Sequence, residues 1–252
     1  MKVVFHSPTQ AFGYVEVEGT VEDIPEMERI YNKYAENKLD FKGNFTKFHT
    51  FTGEDILYDD SIHLYTDLDG NKLISGSAYA KEIIGEFNTD LLSGKVAKKY
   101  SVPQDKVKDM WSMSGEISST FGTALHLAME QWFLHRHFGT EKEYHLPKPE
   151  YLRSAVLSFP LKDESIIPEA MISDVKRRRC GQVDGLQEIG KNKYKILDYK
   201  SDSDIKKNIK KHTIQLNFYR DILEQKGFEI GGMSLWNYTG KWDEVVIPVT
   251  EI

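Results

Sequence analysis

Cysteine is nearly absent from this 252-residue chain. The single one, Cys180, excludes an internal disulfide and any zinc or iron–sulfur centre built from several thiolates of one chain. A bound metal would have to be held by oxygen and nitrogen. No apolar run approaches the ~20 residues of a membrane helix. The opening "MKVVFHSPTQ" has no apolar signal-peptide core, so a cytoplasmic protein with no membrane partner is expected. No GxxxxGK[ST] loop is present, which leaves the chain without a motor of that type. Internal repeats and low-complexity tracts are missing too. Positive charge is in short supply: 33 Lys and Arg stand against 39 Asp and Glu, a net of −6, which taken whole argues against a nucleic-acid partner.

The distribution of charge says more than its sum. Residues 1–60 hold 6 basic and 12 acidic side chains, a net of −6, and residues 61–252 hold 27 of each. Within 165–220 the balance is 13 basic to 7 acidic, a net of +6. A basic zone with embedded acids suits a phosphate-handling site, and equally a solvated surface. Strand-like "KVVFHS" and "FGYVEVEG" and the helical spacing of Ile24, Met27, Ile30, Tyr31 and Tyr34 predict a small acidic N-terminal unit over 1–55. The remainder, 56–252, reads as one main domain. It opens with a hairpin turning at Asp69-Gly70-Asn71 and continues with a mainly helical stretch to Gly139. Three strand-like runs follow, then a long helix closed by Gly227, then two strands. Helices and strands in this order predict an α/β core with a mixed sheet.

Four features carry candidate chemistry. In "YKILDYKSDSD", Asp198 and Lys200 are two apart on one strand and so share a face. Asp184, in "GQVDGL", stands one strand earlier, placed here at a strand end. Converging carboxylates repel, and a hard divalent cation reconciles them. In "FGTALHLAMEQWF", His126 and Glu130 share a helix face at i, i+4, and a neutral imidazole is a good metal ligand. In "HTIQLNFYRDIL", His212, Gln215 and Tyr219 share a face, with Ile214, Phe218 and Ile222 on the apolar one. Glu169, in "IIPEAMISDV", is an acid at the start of a strand. Each has an ordinary alternative: an exposed ion pair, a core histidine, a polar helix surface, a surface glutamate.

Their order along the chain resembles the PD-(D/E)XK nuclease superfamily, in its RecB-like and phage recombination exonuclease branch. That family's motifs, of the form GTxxH, an acid on a first core strand, GxxD, DxK and QxxxY, stand here as "GTALH", "PEAM", "GQVDG", "DYK" and "QLNFY". The resemblance covers roughly 120–220 and says little about 1–55. It implies a restriction-endonuclease-like core, a central mixed sheet flanked by helices, with a small N-terminal appendage. By resemblance, His126, Asp184 and Asp198 are the metal ligands with the carbonyl of Tyr199, and Lys200 is the catalytic lysine. Glu169 binds a second metal or supports the first, and Gln215 and Tyr219 hold Lys200 or the scissile phosphate. One or two Mg²⁺ or Mn²⁺ ions are implied, and no iron–sulfur cluster, since the four cysteines of cluster-bearing relatives are not here. The implied activity is hydrolysis of DNA from its ends, in phage-type recombination, repair or replication, in the host cytoplasm if the chain is viral. A structure-specific endonuclease and a DNA-binding protein without catalysis are the alternatives. Lys176, Arg177, Arg178 and Arg179, with Lys206, Lys207, Lys210 and Lys211, are the expected backbone contacts. Trp111, Phe121 and Tyr79 are candidates for stacking on a base. The acidic N-terminal unit is a candidate dock for a single-strand annealing or single-strand binding protein, or for a further copy of the chain.

Overall fold

Alternating apolar residues make the strands, and their pairing makes a mixed sheet. The structure, a computed structural model, describes residues 2–6, 14–18, 45–59, 62–85, 87–137, 144–161 and 165–251. The chain falls into two units: Met1–Ser75 with Ala170–Gln182, and Gly76–Glu169 with Val183–Ile252.

In the first unit, β1 (Lys2–His6) and β2 (Tyr14–Glu18) pair antiparallel as a two-stranded sheet, as their sequence predicts. The helix expected over 24–37 lies outside the described residues. Strands β3 (Phe45–His49), β4 (Asp55–Asp59), β5 (Leu64–Thr66) and β6 (Lys72–Ser75) run as an antiparallel meander. The β5–β6 turn is fixed by Asp67, whose carboxylate accepts the backbone N–H groups of Asp69 and Asn71 at 3.0 and 2.8 Å. Ile56, Tyr65 and Leu73 form a core with Met171 and Cys180. Burial pushes the Cys180 thiol up, so it packs as a small apolar side chain rather than reacting.

Among the described residues, the second unit holds five helices: α1 (Gly76–Ile84), α2 (Thr89–Tyr100), α3 (Gln104–His137), α4 (Glu150–Ser158) and α5 (Ile205–Gln225). Its strands are β9 (Lys193–Lys200), β10 (Glu229–Tyr238) and β11 (Trp242–Val246). Two further strands begin in one unit and end in the other: β7 (Ile166–Asp174) and β8 (Arg179–Gly190). The nine-stranded sheet has the order β11-β10-β9-β8-β6-β5-β4-β3, with β7 also on β8. Pairs β6–β8 and β9–β10 are parallel, and β8–β9 and β10–β11 antiparallel, which makes the sheet mixed, as expected.

On α3, Leu125, Met129 and Phe133 recur every four residues and so line one face. They pack with Ala155 and Val156 of α4, Phe159, Leu197 and Tyr199 of β9, and Trp236 and Tyr238 of β10. Leu197 and Tyr199 thus point toward α3, and the period of two sends Asp198 and Lys200 to the opposite side, where α5 packs on β9 and β10. There Leu216, Phe218, Ile222 and Leu223 are buried, and so are His212 and Tyr219. The polar face anticipated for α5 is therefore interior. Helix α1 approaches α5 so closely at Gly76 that an added Cβ would lie 2.5 Å from the Tyr219 ring, which only glycine avoids. Among the described residues no helix is long and apolar enough to cross a membrane.

Candidate metal centre

The centre forms where the β8–β9 ladder stops. That ladder runs from the Gly190–Lys193 pair to the Gly185–Leu197 pair. One step further, a side chain takes over from the backbone: the Asp184 carboxylate accepts the N–H of Tyr199 at 2.7 Å. Asp184 lies inside β8 rather than at a strand end, because the strand continues to Gly190. Its Oδ2 also stands 3.6 Å from His126 Nε2 and 3.8 Å from Lys200 Nζ.

His126 comes from α3. Its Nε2 donates to the Tyr199 carbonyl at 2.8 Å, and its Nδ1 lies 3.8 Å from Glu169 Oε1. Glu169 sits inside β7 rather than at its start, with φ of 47°. A non-glycine residue there is strained, and such strain concentrates at functional positions. The kink directs its carboxylate at the histidine.

His126, Glu169 and Asp184 each offer one ligand atom, all within 4.8 Å of one another. They form one possible metal-binding group, and its chemistry fits a cation. Glu130, one helical turn beyond His126, adds a third carboxyl near Glu169. Burial, then the charges of Asp184 and Glu130, push the Glu169 carboxyl well above its usual range. Burial also raises Glu130. Among the described residues the ammonium that answers these acids and Asp198 is Lys200, so the cluster is short of positive charge at a partly buried position.

Asp198 turns its carboxylate to Lys200 Nζ, 2.7 Å away, and is almost fully buried; the three-residue group does not include it. Burial raises its pKa, and Asp184 adds to this while Lys200 opposes it. Burial alone would lower Lys200, but Asp198 and Asp184 outweigh it and hold the ammonium above its usual pKa. Lys200 is therefore a fixed cation at neutral pH. It also donates to the Tyr199 carbonyl at 3.1 Å, so this oxygen faces the centre, shared by His126 and Lys200.

On α5, Gln215 Nε2 donates to the Tyr219 hydroxyl at 3.0 Å, so the two residues act as a pair. Lys206, Lys207, Lys210 and Lys211 lie on the first turns of that helix, with Lys206, Lys207 and Lys211 exposed and Lys210 exposed as well. Lys176 and Arg178 are exposed in the first unit, at the 3-10 turn Val175–Arg177 and just after it. Arg177 is held by Asp174, and Arg179 begins β8. The aromatic candidates are dispersed: Trp111 packs on Phe87, Phe121 on Tyr151 and Tyr79 on Phe218. The i+4 spacing from His126 singles out Glu130, though it assigns no role; Asp202 and Asn237 go unclaimed by the sequence pattern, and nothing local signals Asn237. No family model matches the sequence, and no curated protein matches it.

Proposed function

We propose that this chain is a metal-dependent DNA nuclease, of PD-(D/E)XK type, that hydrolyses phosphodiester bonds from DNA ends. The observation that carries the reading is the His126–Glu169–Asp184 group standing beside a buried lysine that is paired with Asp198 and faces Asp184. His126, Glu169 and Asp184 would hold the cation, and Asp198 and the Tyr199 carbonyl offer further oxygen at its edge. When bound, Mg²⁺ or Mn²⁺ supplies Lewis-acid polarisation of the phosphate.

The remaining steps belong to side chains. Lys200, paired with Asp198, acts as an electrostatic group. It orients the attacking water and offsets the charge that builds on the phosphoryl oxygens. Gln215 and Tyr219, linked to each other, would hold Lys200 or the scissile phosphate. The exposed lysines of α5 begin six residues after Lys200 and bind the phosphate backbone without reading sequence.

The test compares end-labelled linear single- and double-stranded DNA with a covalently closed circle, in Mg²⁺, Mn²⁺ or chelator. Shortening of linear DNA from its ends, only with the ion, is expected. A cut circle would replace the exonuclease reading with an endonuclease. Binding without cleavage of any substrate would leave only the DNA-binding alternative and overturn the reading.

A further inference from the structure

Immediately after Lys200 the chain leaves β9 and turns into α5 through residues 201–204. Asp202 lies in that turn, close enough that its charge bears on Lys200. It is a rival for the ammonium that Asp198 now holds at 2.7 Å and Asp184 at 3.8 Å. Three side chains keep this rival occupied. Asn237, paired with Lys200 across the parallel β9–β10 ladder, closes a double bond on the backbone of Asp202. Its Oδ1 accepts the Asp202 N–H and its Nδ2 donates to the Asp202 carbonyl, both at 2.9 Å. From α5, Asn208 Nδ2 and His212 Nε2 both donate to Oδ2 of the Asp202 carboxylate, at 3.0 and 3.3 Å. His212 is only 6% exposed, too buried to meet a substrate; its side-chain bond is to Asp202, and its charge also bears on Asp198.

We propose that His212 is a positioning residue that ties the Asp202 carboxylate to α5 and so keeps Lys200 on Asp198 and Asp184. Its importance for activity rests on the nuclease reading; its effect on Lys200 does not. A carboxylate released from α5 pairs with the nearest available cation, because a charge left unpaired in a half-buried turn is costly. Lys200 is two residues away on the same rim.

Crystal structures and cleavage rates of three variants decide the matter. In His212→Leu, Lys200 Nζ is expected to move from Asp198 to Asp202, and kcat on linear DNA to fall about tenfold with KM unchanged. Adding Asp202→Asn removes the rival charge, so H212L/D202N is expected to return Lys200 to Asp198 and to recover most of kcat. A residue that merely supports the fold would give no such rescue. Asn208→Ala, at an exposed position, removes the other donor and moves Lys200 the same way if H212L does not fold. Lys200 remaining on Asp198 in every tether variant, or a double variant no faster than H212L, overturns the proposal. Should the wild-type protein cut no DNA, the nuclease reading fails while the position of Lys200 in the crystals still answers this question.

Discussion

Replacing Glu169 with glutamine removes one negative charge from the centre and barely changes its shape. The ligand atoms of Glu169 and Asp184 lie within 4.8 Å of each other, where two like charges repel by about 3 kcal/mol at an effective dielectric of ~20. Burial and the charges of Asp184 and Glu130 favour the protonated form of Glu169 in the folded protein, and that repulsion sets a ceiling on what the protonation costs. The sign follows from proton binding. Because the folded pKa is raised, the folded state binds more protons than the unfolded one above about pH 4.5. Stability is therefore full below that value and is lost as pH rises toward the folded pKa. Glutamine does not titrate, so E169Q gains on wild type with rising pH: under ~1 kcal/mol at about pH 5 and up to ~3 kcal/mol at about pH 8. At ~2–4 °C per kcal/mol the upper figure is roughly 6–12 °C in Tm. Thermal melts of both proteins in chelator, across that pH range, read it directly. Mn²⁺ should then raise wild-type Tm by mass action and narrow the gap. A Tm difference that is flat with pH, or E169Q melting below wild type at the alkaline end in chelator, would refute the reasoning.

Other perturbations follow from the same geometry. Lys200→Ala should abolish cleavage and leave Mn²⁺ binding, read by calorimetry, mostly intact; normal cleavage would remove Lys200 from the mechanism. Gly76→Ala puts a Cβ 2.5 Å from the Tyr219 ring and should cost about 1–3 kcal/mol in denaturant unfolding, with an unchanged midpoint counting against the close approach. Changing Lys206, Lys207, Lys210 and Lys211 to Ala should flatten the dependence of log K on log salt for duplex DNA by up to about 3.6, at ~0.9 for each phosphate no longer neutralised. An unchanged slope would place the DNA elsewhere.

What could be read from the sequence was short-range. The period of two placed Asp198 and Lys200 on one face, and the spacing from Asp184 to Asp198 matched the β8–β9 hairpin that the structure contains. The i, i+4 spacing put His126 and Glu130 on one face of α3, and both bear on Glu169. What escaped was set by residues far apart in the chain. No pattern announces that β6 joins β8 in parallel, since that pairing links residues about a hundred apart. Glu169 occupies a backbone region that its side chain disfavours, so propensity points away from the conformation it adopts. A shared face fixes direction but not reach, so the sequence left an Asp198–Lys200 ion pair and a metal-bound Asp198 as alternatives, and the carboxylate is found on Lys200, buried rather than exposed. Asn237 acts by bonding both backbone groups of Asp202, a role any asparagine could play and none advertises.

The bond from Asp184 to the N–H of Tyr199 makes one carboxylate both a rung of the sheet and a member of the cation group. A slip of β8 against β9 by one residue would turn Asp184 to the other face of the sheet; a slip by two would hand it a different N–H and carry it away from His126. Pairing and assembly are one event, and a strand set one notch wrong leaves His126, Glu169 and Asp184 apart.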